Sequence, residues 1–295
     1  MKHKKHHKNE KSEKKSFTKP PRAGAQPKKS KPLAEHPKFT GAKPDLYGHH
    51  ACAAAWLNPA RKIKALYLCD SAAQSFDPIL HEAKKRGLTR PAPAMIDKGA
   101  LERILPPGAV HQGVALAAEA LSESDAGELL IEAGQREKSL LLILDQVTDL
   151  HNIGAILRSA CAFGAHGMIV QRKHAPSFDG GVLAKTACGA LEHVKIAQET
   201  NLSRAIEELQ EGGFFVIGLD ERGELEIGAF AAQAKAQNQT KIALVLGAEG
   251  PGLRRLVAEK CDALVRLPMH GAMPSINVSN AAAVALYALS EKIGV

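Results

Sequence analysis

From Ser139 onward the chain alternates short apolar runs with helix-like stretches, and this alternation limits the possible folds more than any other feature. The runs "LLLILDQV", "HGMIVQ", "FFVIGLD", "KIALVLG" and "DALVRLPM" are strand-length and nearly continuous in apolar residues. Between and after them come "NIGAILRSACAFG", "VLAKTACGALE", "NLSRAIEELQEGG", "GLRRLVAEK" and "SNAAAVALYALSEKI", all with helical spacing. Strands without a polar face are buried on both sides, so the pattern predicts a parallel sheet sandwiched by helices. Ligands of such sheets sit beyond the carboxyl ends of the strands. The loops that follow strands should therefore carry the chemistry.

Upstream, residues 46–118 read as a smaller α/β unit. "YGHHACAAAWLN" is helical, "IKALYLCD" is a buried strand, and "DPILHEAKKRG" is an amphipathic helix closed by Gly87. "DKGALERIL" is a further helix, and "PPGAVHQGVALAAEA" turns at Pro106–Gly108 into a strand. Residues 119–138 are acidic and read as a linker or a loose helix. Residues 1–45 hold 14 Lys+Arg against 4 Asp+Glu, leaving 25 against 27 in the rest, so the net charge of +8 belongs to the tail. A run such as "KHKKHHKNEKSEKK" cannot bury apolar surface and is expected to be disordered. It suits phosphate backbones or simple solubilisation.

An apolar content of 45% supports real cores, and no run approaches the roughly 18 residues that span a bilayer. The five cysteines are scattered without a CxxC pair, the usage of a reducing cytosol. No metal site is specified. A cytoplasmic protein away from membranes is the expectation.

Three post-strand loops stand out. "DQVTDLHNIGAILRSACAFGAHG" places Asn152 at the opening of a helix and Arg158 about two turns in. An Arg emerging from a small, apolar helix faces a cleft, an anion or a partner, and its planar guanidinium matches a phosphodiester through paired hydrogen bonds. "LVLGAEGPGLRR" brackets Glu249 with Gly247, Gly250 and Gly252. "LPMHGAMPSINVSN" crowds Ser275, Asn277, Ser279 and Asn280 before an Ala-rich helix, where one cap would suffice. The first strand–helix turn lacks GxGxxG, and GxxxxGK[ST] is absent, which argues against a standard dehydrogenase or NTPase.

Together, in order, these three loops closely resemble the motifs of the SpoU (TrmH-type) family of RNA ribose 2′-O-methyltransferases, over residues 139–295. Residues 45–118, with "YGHHA" and "GAVHQGVAL", resemble more loosely the small RNA-binding domain of its 23S rRNA guanosine branch. Pro274 departs from the family, where many members have a small polar residue. The resemblance implies a C-terminal trefoil knot, a rare exception to unknotted chains. It also implies a homodimer, S-adenosylmethionine as methyl donor, and an RNA substrate, rRNA before tRNA. A non-catalytic ribosome-assembly protein of the same fold is the alternative of a different class. By position in the motifs, Arg158 would hold the RNA phosphate and help activate the 2′-hydroxyl. Asn152, Glu249, Ser275 and Asn277 would orient ribose and loops. Backbone at Gly247, Leu267 and Ile276 would contact the cofactor.

Overall fold

The computed structural model describes residues 39–121, 124–174 and 181–294. The expected disorder of the tail lies, up to residue 38, outside the described residues. Its last residues depart from the reading that ends the tail at 45. Pro44 is buried, the Tyr67 hydroxyl donates to the Ala42 carbonyl at 2.7 Å, the Asp45 N–H donates to the Leu116 carbonyl, and the Asp45 carboxylate accepts from the Ala118 N–H at 3.0 Å.

The first sheet is built from β1 (Leu46–Tyr47), β2 (Ile63–Leu68), β3 (Ala94–Met95) and β4 (Val114–Ala118), in the order β1-β4-β2-β3. Helices α1 (His49–Leu57), α2 (Asp70–Lys85) and α3 (Lys98–Ile104) accompany it. All five residues of β4 are buried, which is why "VALAA" carries no polar position. α2 stops at Arg86 and turns through Gly87 at φ 69°, as the sequence anticipates.

Of the two readings left open for residues 119–138, the helix is the one present, over α4 (Ala126–Gly134). Asp125 caps it, and Leu129 and Ala133 are buried against the second sheet. Ala126, Leu129 and Ala133 are its buried residues, Leu130 packs at their edge and Ile131 is exposed.

The second sheet contains β5 (Ser139–Asp145), β6 (Gly167–Gln171), β7 (Lys195–Glu199), β8 (Phe215–Leu219), β9 (Leu225–Glu226), β10 (Lys241–Gly247) and β11 (Ala263–Arg266). Their order is β7-β6-β5-β10-β8-β11-β9, and every pairing is parallel. Side chains alternate between two cores. Leu140, Leu142 and Leu144 face α5 (Leu150–Ala162), α8 (Ile227–Ala236) and α10 (Val278–Ile293). Leu141 and Ile143 face α4, α7 (Leu202–Glu211) and α9 (Arg255–Lys260). The parallel sheet covered on both faces is thus as expected. The chain leaves β5 toward β6 and β7, then crosses to β8 before β10 fills the gap between β5 and β8. Loops after neighbouring central strands therefore diverge, and a crevice opens above β10.

Two expected helices are revised. "VLAKTACGALE" is not one helix: α6 (Gly181–Thr186) ends, Cys188 and Gly189 take positive φ (51° and 90°), and a 3-10 turn follows at Ala190–Glu192. The "GLRR" stretch is not helical either; Gly252 has φ 68° and Arg254 is extended, so α9 starts at Arg255. Among the described residues, no helix is long and apolar enough to cross a membrane.

Candidate active site

The three loops singled out in the sequence meet above β5 and β10. The first begins as β5 ends at Asp145, passes Gln146 at φ 60°, and enters α5 under an Asp149 cap that accepts from the His151 N–H at 3.0 Å. Asn152 is therefore the third residue of the helix and does not open it. Its side chain still points to the crevice: Nδ2 donates to Glu249 Oε1 at 3.2 Å.

The second loop is a backbone crossing. Gly247 ends β10, and Gly252 folds back so that its N–H donates to the Ala248 carbonyl at 3.0 Å. A Cβ on Gly247 would lie 2.2 Å from the Gly252 carbonyl carbon and 2.5 Å from the Leu253 nitrogen, so only glycine permits this approach. The fold back carries Glu249 to the apex, where it is exposed.

Asn277 closes the arrangement. It caps α10 through Oδ1, which accepts from the Ser279 N–H at 2.8 Å and the Ser279 hydroxyl at 2.6 Å. Its Nδ2 faces both Asn152 Oδ1 at 3.0 Å and Glu249 Oε1 at 2.5 Å. One side chain thus satisfies the helix terminus and ties the other two loops together. The surplus of polar residues before α10 is partly explained: Asn277 and Ser279 form the cap, while Ser275 and Asn280 remain exposed.

Beside this cluster lies a cleft of about 750 Å³. Gly247, Glu249, Leu267, Ser275, Ile276 and Asn277 line it, so six of the eight residues expected at the site share one cavity, and Asn152 bonds to two of them. Leu267 is half-buried against the core, whereas Ile276 is 40% exposed on an otherwise polar segment. Arg158 is not brought into the cluster. It is exposed on α5 and makes no hydrogen bond or ion pair among the described residues.

Residues 139–287 match the SpoU rRNA methylase family, and residues 46–124 match the RNA 2′-O ribose methyltransferase substrate-binding family. The chain belongs to the SpoU rRNA methylase family. Among similar proteins, the 23S rRNA (guanosine-2′-O-)-methyltransferase RlmB of Ralstonia nicotianae is 40% identical over 82% of this chain and 93% of its own length. An uncharacterized tRNA/rRNA methyltransferase of Synechocystis is 35% identical over 84% of this chain, which spans 62% of that protein. The SpoU methyltransferase AviRb of Streptomyces viridochromogenes, solved with AdoMet, shares the fold: TM-score 0.65, 23% identity, coverage 83% of this chain and 88% of that one. The fold is thus that of the trefoil-knot methylases, and this SpoU methylase is an RNA methyltransferase.

The structure adds residues around the methylase cleft that the motifs did not flag. Asp145 is wholly buried at the end of β5; its carboxylate accepts from the Arg254 N–H at 2.9 Å and from Arg254 Nε at 2.6 Å. Asp220, just past β8, bonds the Leu253 N–H and both arms of Arg222. The Arg222 guanidinium holds the Asp220 carboxyl below the usual carboxylate range. Two strand-end carboxylates thus grip consecutive N–H groups where the glycine loop exits. Each occupies the last position of an apolar run, "LLLILD" and "FFVIGLD", and that placement is the signal available in sequence. Burial, with Asp262, Asp145 and Asp220 nearby, pushes the Cys261 thiol up to about 12 and so disfavours its thiolate.

Proposed function

We propose that this chain transfers a methyl group from S-adenosylmethionine to the ribose 2′-hydroxyl of a guanosine in 23S rRNA. The observation that carries this reading is the Asn152–Glu249–Asn277 cluster, built from three separate loops at the edge of a cleft with a glycine backbone crossing. The relatives named for 23S rRNA guanosine 2′-O-methylation, aligned along more than nine-tenths of their length, support the substrate.

The cleft suits the donor in kind. Its volume lies within the range of small-molecule sites. Backbone at Gly247 and Leu267, with the apolar edge of Ile276, would flank an adenosyl group. When bound, that group supplies a methyl on an already activated sulfonium, so the remaining difficulty is the 2′-hydroxyl, which is barely ionised at neutral pH.

The residues proposed for that task divide the work. Arg158, exposed and without a side-chain partner among the described residues, would anchor the phosphate next to the target ribose and stabilise charge growing on its 2′-oxygen. A guanidinium offers five N–H donors and no acceptor, so its part is anchoring and not taking the proton. Glu249, held by two amide groups, would fix the loop apex, and Asn152, Asn277 and Ser275 would orient the sugar. Holding the oxygen in line with the methyl supplies several kcal/mol of the barrier reduction (about 7–11 for well-oriented reactions). Charge stabilisation at that oxygen adds to it.

Residues 46–118 act as the RNA-binding domain and 139–295 as the transfer domain, in a cytoplasmic homodimer. The exposed Val284 and Tyr287 on α10 offer an apolar face for a second copy. A tRNA substrate is the competing reading, favoured by relatives named tRNA/rRNA methyltransferases.

The test is transfer of labelled methyl from S-adenosylmethionine to naked 23S rRNA and to total tRNA, followed by mapping of ribose methylation. Arg158→Ala should keep donor affinity within about twofold and lose transfer. Methylation of tRNA alone overturns the substrate, and loss of donor binding in Arg158→Ala overturns the role given to that side chain.

A further inference from the structure

Outside the cleft, a buried and fully hydrogen-bonded charge pair joins the two sheet units. Arg61 lies between α1 and β2, and Glu192 ends the 3-10 turn before β7. Arg61 Nε donates to both Glu192 oxygens at 3.0 and 3.1 Å, and NH2 lies 2.9 Å from Oε1. The third arm, NH1, donates to the Glu119 carbonyl at 2.6 Å. Asn58 Nδ2 donates to Glu192 Oε2 at 2.7 Å. The two charged side chains are 6% and 3% exposed. Arg90 braces the same loop from behind, donating to the carbonyls of Trp56, Asn58 and Arg61.

Apolar packing accompanies the pair. Gly189, at φ 90°, lies under α1 so closely that a Cβ would sit 2.5 Å from the Ala54 Cβ and 3.1 Å from the His50 carbonyl oxygen. Ala184 and Leu191 of the methylase pack into the core of the first sheet. The connection between units is pinned at both ends, by Arg61 at Glu119 and by a bridge between Ser124 and Ala197. From Gly189 the contact runs directly toward the site: α6 packs on α5, where Thr186 lies against Gly154, two residues from Asn152.

A substrate domain swinging on a tether would need none of this. Buried ion pairs contribute little net stability compared with apolar replacements, but they define one geometry, because any other leaves a charge unpaired. We propose that Arg61, Asn58 and Glu192 form a latch that sets the RNA-binding unit in one orientation on the methylase unit. Arg61 and Glu192 are then positioning residues that determine which ribose of the bound RNA reaches the site. This rests on the proposed RNA methyl transfer.

The test compares the full-length wild type with Glu192→Gln, Arg61→Lys and the apolar pair R61M/E192L, which removes both charges together and so leaves neither buried alone. Hydrogen exchange reads the latch without requiring activity. Amides of residues 50–61 and 189–198 should exchange at least tenfold faster in the apolar pair, with β5 and β10 unchanged. S-adenosylmethionine affinity should stay within twofold of wild type. The kcat/KM for RNA should fall at least tenfold, with methyl appearing on riboses neighbouring the wild-type target, and Arg61→Lys should fall between. The latch is overturned if the apolar pair keeps wild-type exchange in those segments. It is equally overturned if that variant modifies the same single ribose within twofold of the wild-type rate. A wild type that methylates neither RNA overturns the function proposed above instead, and the exchange comparison still decides the latch.

Discussion

Replacing Gly247 by alanine tests the site at its tightest point. The added methyl would lie 2.2 Å from the Gly252 carbonyl carbon, 2.5 Å from its oxygen and 2.5 Å from the Leu253 nitrogen, all backbone. Ordinary contact begins at 3.4 Å, so the two arms of the loop must part by a little over 1 Å. Neither arm is free to yield. Gly247 is in parallel register with Asp145 on β5, and the far arm is gripped by Asp220 at Leu253 and by Asp145 at Arg254. Overpacking of this kind costs about 1–3 kcal/mol of stability. Displacing a positioned group by about 1 Å costs on the order of 100-fold in rate, and Glu249 rides on the displaced segment. Gly247→Ala should therefore remain folded in urea titrations with a modest loss. By calorimetric titration it should bind S-adenosylmethionine at least tenfold more weakly, and in single-turnover assays it should transfer methyl about 100-fold more slowly. Donor affinity and rate both within threefold of wild type would refute the view that this crossing shapes the pocket.

Asn277→Asp separates capping from loop tying. Asp caps helices as well as Asn, within about 0.5 kcal/mol, but it loses the amide that donates to Glu249 and Asn152 and sets two carboxylates face to face. The melting temperature should hardly move while kcat falls at least tenfold; unchanged kcat would make the tie dispensable. A pH effect should come from His166, whose imidazole is held below its usual 6.5 by burial, with Arg136 and Lys195 adding to the shift and Glu132 opposing it. Below about pH 6.5 the unfolded chain then binds more protons than the folded one, so acid favours unfolding. His166→Gln should flatten the decline in stability between pH 6.5 and 5 relative to wild type, and parallel curves would contradict the assignment.

The methylase sheet was legible because its strands are buried on both faces, leaving continuous runs such as "LLLILD" and "KIALVLG". Where that condition fails, the sequence is silent. β7 is an edge strand reading "KIAQE" with only Ala197 buried, and it goes unrecognised. α8, "IGAFAAQAKA", lacks a clear polar face and is missed for the same reason. The three loops were found by their polar residues at strand ends, and six of the eight residues expected at the site line the cleft. Asn152 joins through its bonds, and Arg158 stands apart, exposed on α5. The link between the units was invisible: Arg61 and Glu192 are 131 residues apart, and nothing local marks either as one half of a pair.

The tie made by Asn277 also has a temporal side. Synthesis delivers Asn152 first, Glu249 almost a hundred residues later, and Asn277 another 28 residues on. Until that stretch has emerged and α10 has seated, the strands of the sheet can pair but the cleft lacks the wall made by Ser275, Ile276 and Asn277. The lock on the three loops therefore forms only after every strand of the sheet has been made, so a product interrupted before Asn277 would hold the Asn152–Glu249 contact without the amide that fastens both.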